Sequence, residues 1–393
     1  MRAVPHILAE NCAELRKTAP RILAAGPHSP AVGLRGNVAR VTDASEPRVL
    51  VRARGGLGHL TLNRPRAINA LDLGMIGELA TALDAWEHDT EVDMIVLDGA
   101  GDRGLCAGGD VRGLAERVRA GRADETALFF REEYALNARI AEYPKTILAI
   151  ADGITMGGGI GLAGHAAIRI VTERSKLAMP ETRIGFTPDV GGTWLLAHAP
   201  GRIGEYLGLT GAVMSGSDAI YAGFADHFVP SERLDALREA LETRADPSSP
   251  TELVLLFDET PEASRLHRAR SWIDDAFAAD TVAEIVERLR SRPEPEASAT
   301  ADLLGELSPT GLAVTLASVR RSRELAGLRD ALTQEYGLVM WFATTQPDLT
   351  EGIRAQVIDK DRTPRWQPAT IDDLSPDAAA SALSYEPATA LWE

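Results

Sequence analysis

The run Ile147-Leu148-Ala149-Ile150-Ala151 has the pattern of a buried strand. It leads into Gly153–Gly164, the string GITMGGGIGLAG, where three consecutive glycines precede a small-residue helical pattern. Glycines in a row serve where backbone must approach something closely and a Cβ would intervene. A helix start also leaves several N–H groups without intrahelical partners, aimed out of the helix end. Such a turn can donate backbone hydrogen bonds to negative charge developing on a substrate oxygen. A purely structural strand-to-helix turn has the same pattern, so the neighbouring segments decide between the two.

Upstream lies a second turn of this kind, Cys106-Ala107-Gly108-Gly109-Asp110. It follows the buried-strand pattern Met94-Ile95-Val96-Leu97 and precedes a helical run from Val111. Two such turns can place two N–H donors around one oxygen. Downstream, the stretch Met179 to Gly192 carries Glu181 and Asp189, eight residues apart among glycines and prolines. Two donors for an oxyanion beside acids is the constellation expected for chemistry at a thioester carbonyl.

These segments, with Asn63-Arg64-Pro65 and Asn69-Ala70-Leu71, resemble the crotonase superfamily of enoyl-CoA hydratases and isomerases. Within it the chain is most similar to the 3-hydroxyisobutyryl-CoA hydrolases. That closer match rests on Phe129–Tyr134, on GITMGGGIGL, on Pro188–Gly192, and on Ile358-Asp359-Lys360-Asp361 with Pro364 and Trp366. The resemblance implies an α/β fold, a crotonase-like spiral of ββα turns with a helical C-terminal region. It implies Glu181 as a catalytic carboxylate and Gly109 and Gly158 as oxyanion donors. Asp189 and Glu133 would line the acyl pocket, Asp189 accepting from a substrate hydroxyl. A solvated helix face remains the alternative for Glu133, and a turn aspartate for Asp189.

Gly161 departs from the hydratase pattern, which carries a second catalytic glutamate at this position. Hydration of a double bond uses a carboxylate pair to position water and move protons, so a single acid here suits hydrolysis better. Three functions follow: hydrolysis of a short branched 3-hydroxyacyl-CoA such as 3-hydroxyisobutyryl-CoA of valine breakdown, enoyl-CoA hydration or isomerisation, and non-catalytic CoA binding. Water attack and attack by Glu181 through an anhydride both remain open. Thr187 stands where many relatives carry a bulkier apolar residue, and Trp194 is a candidate to narrow the pocket.

A net charge of −16 disfavours nucleic acid or an anionic membrane as partner. The polyanionic CoA must then meet local basic residues, and Arg64, Arg66, Arg112 and Lys360 lie nearest the motifs. No cofactor is expected beyond the CoA of the substrate, and no metal. A homo-oligomer is compatible with the sequence. Two distant cysteines, Cys12 and Cys106, give no disulfide framework and fit a reducing cytoplasm. Cys106 lacks a histidine placed as its base, and His165 has the placement of a packing histidine. No apolar run has the length of a membrane span, and a secretory signal is not expected.

Three regions are expected: an extension over 1–47, a core over 48–230, and a mainly helical part over 231–393. A loose arm, a short helix from Ala9 to Ala24 and a misassigned start all fit the extension. The spacing predicts a hairpin (Val49–Arg52, Gly58–Leu62), a helix over Asp72–Trp86, a helix over Asp124–Ile140, and strands Ala167–Val171 and Lys176–Met179. Further helices are expected at Ser231–Arg244, Val282–Arg290, from Ser308 to Arg323, Leu328–Phe342 and Leu349–Ile358. Arg292–Glu296 has the composition of a linker.

Overall fold

The computed structural model describes residues 47–244 and 250–392, so the expected extension, the Ala9–Ala24 helix and Cys12 lie outside the described residues. Its first elements are strands β1 (Val49–Arg54) and β2 (Leu57–Leu62), an antiparallel hairpin across Gly55-Gly56. Both glycines carry positive φ, which a two-residue hairpin turn requires. Helix α1 (Leu73–Glu87) follows, its N-terminus closed by the Asp72 carboxylate accepting from Met75 N–H. Met75, Ile76, Leu79, Leu83 and Trp86 recur at helical spacing and are the buried face of α1.

Strands β3 (Met94–Gly99), β4 (Thr146–Ala151), β6 (Ile168–Val171) and β8 (His227–Phe228) extend the hairpin into a mixed six-stranded sheet, ordered β1-β2-β3-β4-β6-β8. Beyond the hairpin every pairing is parallel. Side-chain alternation splits β3 between two cores. Ile95 and Leu97 join α1 and most of the helices, whereas Met94 and Val96 join Leu148, Ile150, Ile168 and Ile170 on the other face. That second face is covered by the helix Leu234–Thr243 through Leu234, Leu237 and Leu241. A sheet buried on both faces explains why β3 and β4 read as continuous apolar runs.

The crossover from β3 to β4 contains α2 (Val111–Arg119) and α3 (Ala123–Glu142). After β4, the short strand β5 (Ile154–Met156) leads into α4 (Gly158–Ala163), and β5 pairs in parallel with β7 (Lys176–Ala178) in a separate small sheet. Helix α5 (Gly192–His198) closes the Asp189 turn. The fold is α/β with a largely helical C-terminal part, as expected. The helices Pro309–Ser322 and Leu328–Thr345 pack into the same hydrophobic core as α1 and α3.

Several expectations are corrected. Arg292–Glu296 is no free linker: a helix runs over Pro295–Glu306, with Pro295 in its first turn, where a missing N–H costs nothing. The expected helix over 231–244 splits into a tight turn at Ser231–Arg233 and the helix from Leu234. The segment Leu349–Ile358 is an α-helix, Asp348–Ile353, that widens into a π turn at Arg354–Ile358. Ser308 caps the helix Pro309–Ser322, accepting from Gly311 N–H at 3.0 Å.

Candidate active site

Local pairing beyond the main sheet brings the two glycine turns together. Cys106 N–H donates to the Ile154 carbonyl, and Met156 N–H donates to the Cys106 carbonyl, at 3.1 and 3.0 Å. Leu71 braces the first turn from its other side, donating to Gly108 O and accepting from Asp110 N–H, both at 2.8 Å. Asn69 is fully buried and donates from Nδ2 to the carbonyls of Ala100, Gly104 and Leu105, fixing the approach to this turn. The N–H of Gly109 lies between these anchors. Among the described residues, neither it nor the N–H of Gly158 is used on a protein acceptor.

The turns touch. A Cβ placed on Gly158 would lie 3.3 Å from Gly109 N and 2.6 Å from the Glu133 carboxyl. A Cβ on Gly157, which has φ 48, would lie 3.0 Å from Glu181 Oε1. Glycine is therefore favoured at 157 by backbone conformation, and at 158 any side chain must displace the Glu133 carboxyl.

Both turns, Glu133, Glu181 and Asp189 line one cavity of about 300 Å³. Its other walls are mostly apolar, including Phe129, Phe130, Phe186 and Val190. Glu133 comes from the middle of α3 and Glu181 from the first residue after Pro180, in the tight turn Glu181–Ile184 that follows β7. Asp189 precedes α5 and accepts from the Tyr134 hydroxyl at 2.8 Å. One oxygen each of Glu133 and Glu181 is buried without a hydrogen-bond partner. Glu133 is 2 % exposed, so the solvated-face reading for it fails.

Burial holds all three carboxyls above the ordinary carboxylate range, and the Asp189 charge adds to the rise at Glu133 and Glu181. Asp189 itself is pushed up to about 7 by burial, against the Tyr134 hydrogen bond that favours its charged form. Three acids this close do not all ionise at neutral pH, so the site can hold a proton and a base together. A carboxyl raised in the folded state stabilises the fold at low pH, and that contribution is lost as pH rises from about 4 through about 7. Asp189→Asn is therefore expected to lie close to the wild-type melting temperature at pH 4 and to exceed it at pH 8, by about 1–2 °C for each kcal/mol gained in a chain of this size. Thermal unfolding at the two pH values checks this, and an equal gap at both would contradict it.

The expectation of a single acid is corrected, since Glu133 supplies a second carboxyl from a different element. Gly161 lies behind the cavity wall: a Cβ there would sit 2.7 Å from Val190 Cβ and 2.8 Å from Asn137 Nδ2. Cys106 is buried with its thiol pushed up to about 12, which rules out a resting thiolate nucleophile. His165 is half-buried, lowered to about 4 by desolvation, and hydrogen-bonded to the Val190 carbonyl, as a packing histidine is. Trp194 does not reach the cavity and packs on His198 instead, ring centroids 4.1 Å apart. Thr187 is buried and accepts from the Thr315 hydroxyl at 3.1 Å.

The basic candidates separate. Arg64 is engaged by Asp72 at 3.0 Å and by the Ala70 carbonyl, so it braces the Asn69 loop instead of waiting for a phosphate. Arg112 stands at the cavity rim, donating to the carbonyl of the lining residue Val357 at 2.8 Å. Arg66 and Lys360 are exposed. Sequence reasoning missed Arg183, Gln356 and Val357 as lining residues. Arg183 is two residues from Glu181 on the same turn, and that proximity was the available signal.

Residues 57–383 match the family profile described as enoyl-CoA hydratase/isomerase. The chain is 41% identical over 335 residues to the mitochondrial 3-hydroxyisobutyryl-CoA hydrolase of Rattus norvegicus, covering 83% of this chain and 86% of that protein. It is 39% identical over 342 residues to 3-hydroxyisobutyryl-CoA hydrolase 1 of Arabidopsis thaliana, covering 84% and 90%. A crystal structure of a carnitinyl-CoA dehydratase from Mycobacterium thermoresistibile superposes with a TM-score of 0.83 at 45% identity, covering 88% of this chain and 98% of that one. An enoyl-CoA hydratase structure from Rhodobacter sphaeroides gives 0.80 at 45%, covering 86% and 97%. With the fold and both glycine turns in place, the chain belongs to the enoyl-CoA hydratase/isomerase family.

Proposed function

We propose that this protein hydrolyses a short branched 3-hydroxyacyl-CoA thioester, 3-hydroxyisobutyryl-CoA being the leading substrate, to the free hydroxy acid and CoA. The observation that carries the reading is the Glu181 carboxyl, with one buried oxygen unpartnered, beside two unspent glycine N–H groups in a mostly apolar cavity. Gly109 and Gly158 receive the thioester oxygen. Water bonds to the carbonyl carbon and yields its proton to Glu181, and negative charge collects on the oxygen held by the two N–H groups. Collapse of this intermediate breaks the C–S bond, and the departing sulfur takes the proton back from Glu181. In the alternative route Glu181 bonds to the carbonyl carbon itself, CoA leaves, and water then opens the anhydride. Both routes depend on the same carboxylate and the same donors.

In this scheme Asp189, steadied by Tyr134, accepts from the substrate's 3-hydroxyl, and Glu133 orients the acyl group or the water. Arg112 and Lys360 are the basic residues proposed to meet the CoA phosphates. The two hydrolases named above are similar over most of their length, which supports this assignment. Hydration is the second reading, favoured by Glu133 as a further carboxyl and by the similarity to the dehydratase and hydratase structures named above. Free-thiol detection over a panel of 3-hydroxyisobutyryl-, isobutyryl- and crotonyl-CoA tests the choice. The expected result is rapid thiol release from the first and slower release from the others. Rapid hydration of crotonyl-CoA without thiol release from any of them favours the second reading.

A further inference from the structure

Asp189 belongs to an unfavourable piece of backbone. Val190, a β-branched residue, has φ 54, and Gly191 follows with φ 76. The left-handed region costs a non-glycine residue roughly 1–2 kcal/mol, so such a turn persists only where its surroundings fix it. Gly192 N–H closes the turn on the Asp189 carbonyl at 2.6 Å. The neutral His165 ring faces the Val190 carbonyl at 2.8 Å and serves as donor in its Nε2–H tautomer.

The most numerous contacts come from a residue about 140 positions away in sequence. Glu335, fully buried on the helix Leu328–Thr345, accepts from Gly191 N–H at 2.6 Å on one oxygen. Its other oxygen accepts from Thr193 N–H at 2.8 Å and from the Thr193 hydroxyl at 2.6 Å. Because Thr193 gives its only hydroxyl proton to Glu335, Ser322 is the donor in the 2.8 Å contact between the two hydroxyls. Gln334 Nε2 in turn donates to Ser322 at 3.0 Å. All these protons point towards one carboxyl. Burial raises that carboxyl to about 8, and a proton added to the oxygen facing Gly191 still leaves it a lone pair for that N–H. The clamp therefore survives in both protonation states.

We propose that Glu335 is a positioning residue that locks the Asp189–Val190 turn and thereby sets the site's preference for an acyl group bearing a 3-hydroxyl. This rests on the proposed function only in taking Asp189 as the acceptor of that hydroxyl. Glutamine at 335 keeps one acceptor but turns an NH2 group against an N–H donor, so one strand of the clamp opens.

The test is calorimetric binding of two non-hydrolysable thioether analogues, of 3-hydroxyisobutyryl-CoA and of isobutyryl-CoA, alongside kcat and KM. Wild type is expected to prefer the hydroxylated analogue. Glu335→Gln should lose about tenfold or more of that preference while its affinity for the other analogue changes less than about threefold. Combined with Asp189→Asn it should add little, because the two act through one contact. Should Glu335→Gln fold poorly, Thr193→Val removes one of the three bonds and should show a smaller loss, with Thr193→Ser restoring the preference. The proposal is overturned if wild type shows no hydroxyl preference. It is equally overturned if a folded Glu335→Gln keeps the full preference with only a lower melting temperature, or loses both analogues equally. Failure of the hydrolase reading has its own sign, an absence of thiol release by wild type, and leaves the binding comparison intact.

Discussion

Glu181→Gln lowers the rate of CoA release by at least about 10²-fold while leaving CoA-ester affinity within a few-fold of wild type. The glutamine preserves shape but accepts no proton and forms no anhydride, so both routes to the products lose their starting group. A positioned acid–base group contributes about 10²–10⁴-fold, and the expected loss is the lower end of that range. Stability should not suffer. The wild-type carboxyl has a buried oxygen without a partner, and burial holds it above the ordinary carboxylate range, so the neutral amide removes a cost. Equal or higher melting temperature with lost turnover identifies a reacting group, whereas wild-type turnover would make Glu181 a structural residue of its turn.

Gly158→Ala is expected to be nearly as damaging, by a different route. The added methyl would lie 2.6 Å from the Glu133 carboxyl and 3.2 Å from a Leu71 methyl. Glu133 stands at the end of a flexible side chain beside a cavity and can swing away, so the protein should fold. The cavity that Glu133 lines is the open space beside it, and in the proposed mechanism that space takes the acyl group. A loss of about 10²-fold in kcat/KM follows if the carboxyl's displacement also spoils approach to the glycine donors, since removing one oxyanion donor costs about 10²–10³-fold. Steady-state kinetics with a parallel thermal melt checks both halves. Undiminished kcat/KM would place the thioester away from Gly158.

That the two glycine turns and Glu181 lie close together was legible because their signals are local and chemical. Three glycines after an apolar strand, and a glutamate after Pro180, each announce their geometry within a few residues. The hairpin, β3, β4 and α1 were legible because their apolar periodicities are undiluted. What escaped was long-range or chemically silent. Arg64 reads as an available cation until Asp72 is brought against it, a pairing that the folded Asn69 loop creates. Gln356 and Val357 reach the cavity only because the chain widens into a π turn there, which no sequence period marks. The helices Gly192–His198, Ile203–Thr210 and Gly216–Ala222 are seven or eight residues long and each includes glycine, so their pattern is too short to distinguish them from turns. Arg292–Glu296 misled because proline is read as a breaker, although it is well suited to the first turn of a helix. Gly161 drew the sequence reading towards a single acid although Glu133 was already a pocket candidate, because only the fold of α3 shows that its carboxyl lines the same cavity as Glu181.

The most direct test of the central claim follows oxygen. Incubation of the wild-type protein with 3-hydroxyisobutyryl-CoA in ¹⁸O-enriched water distinguishes attack at the thioester carbon from reversible water addition at C3. Hydrolysis supported by Glu181 and the two glycine donors places label in the carboxylate of released 3-hydroxyisobutyrate, with one free thiol per labelled acid and an unlabelled 3-hydroxyl. Label on the 3-hydroxyl of intact CoA ester, with no thiol released, would contradict the account and assign the site to hydration and dehydration.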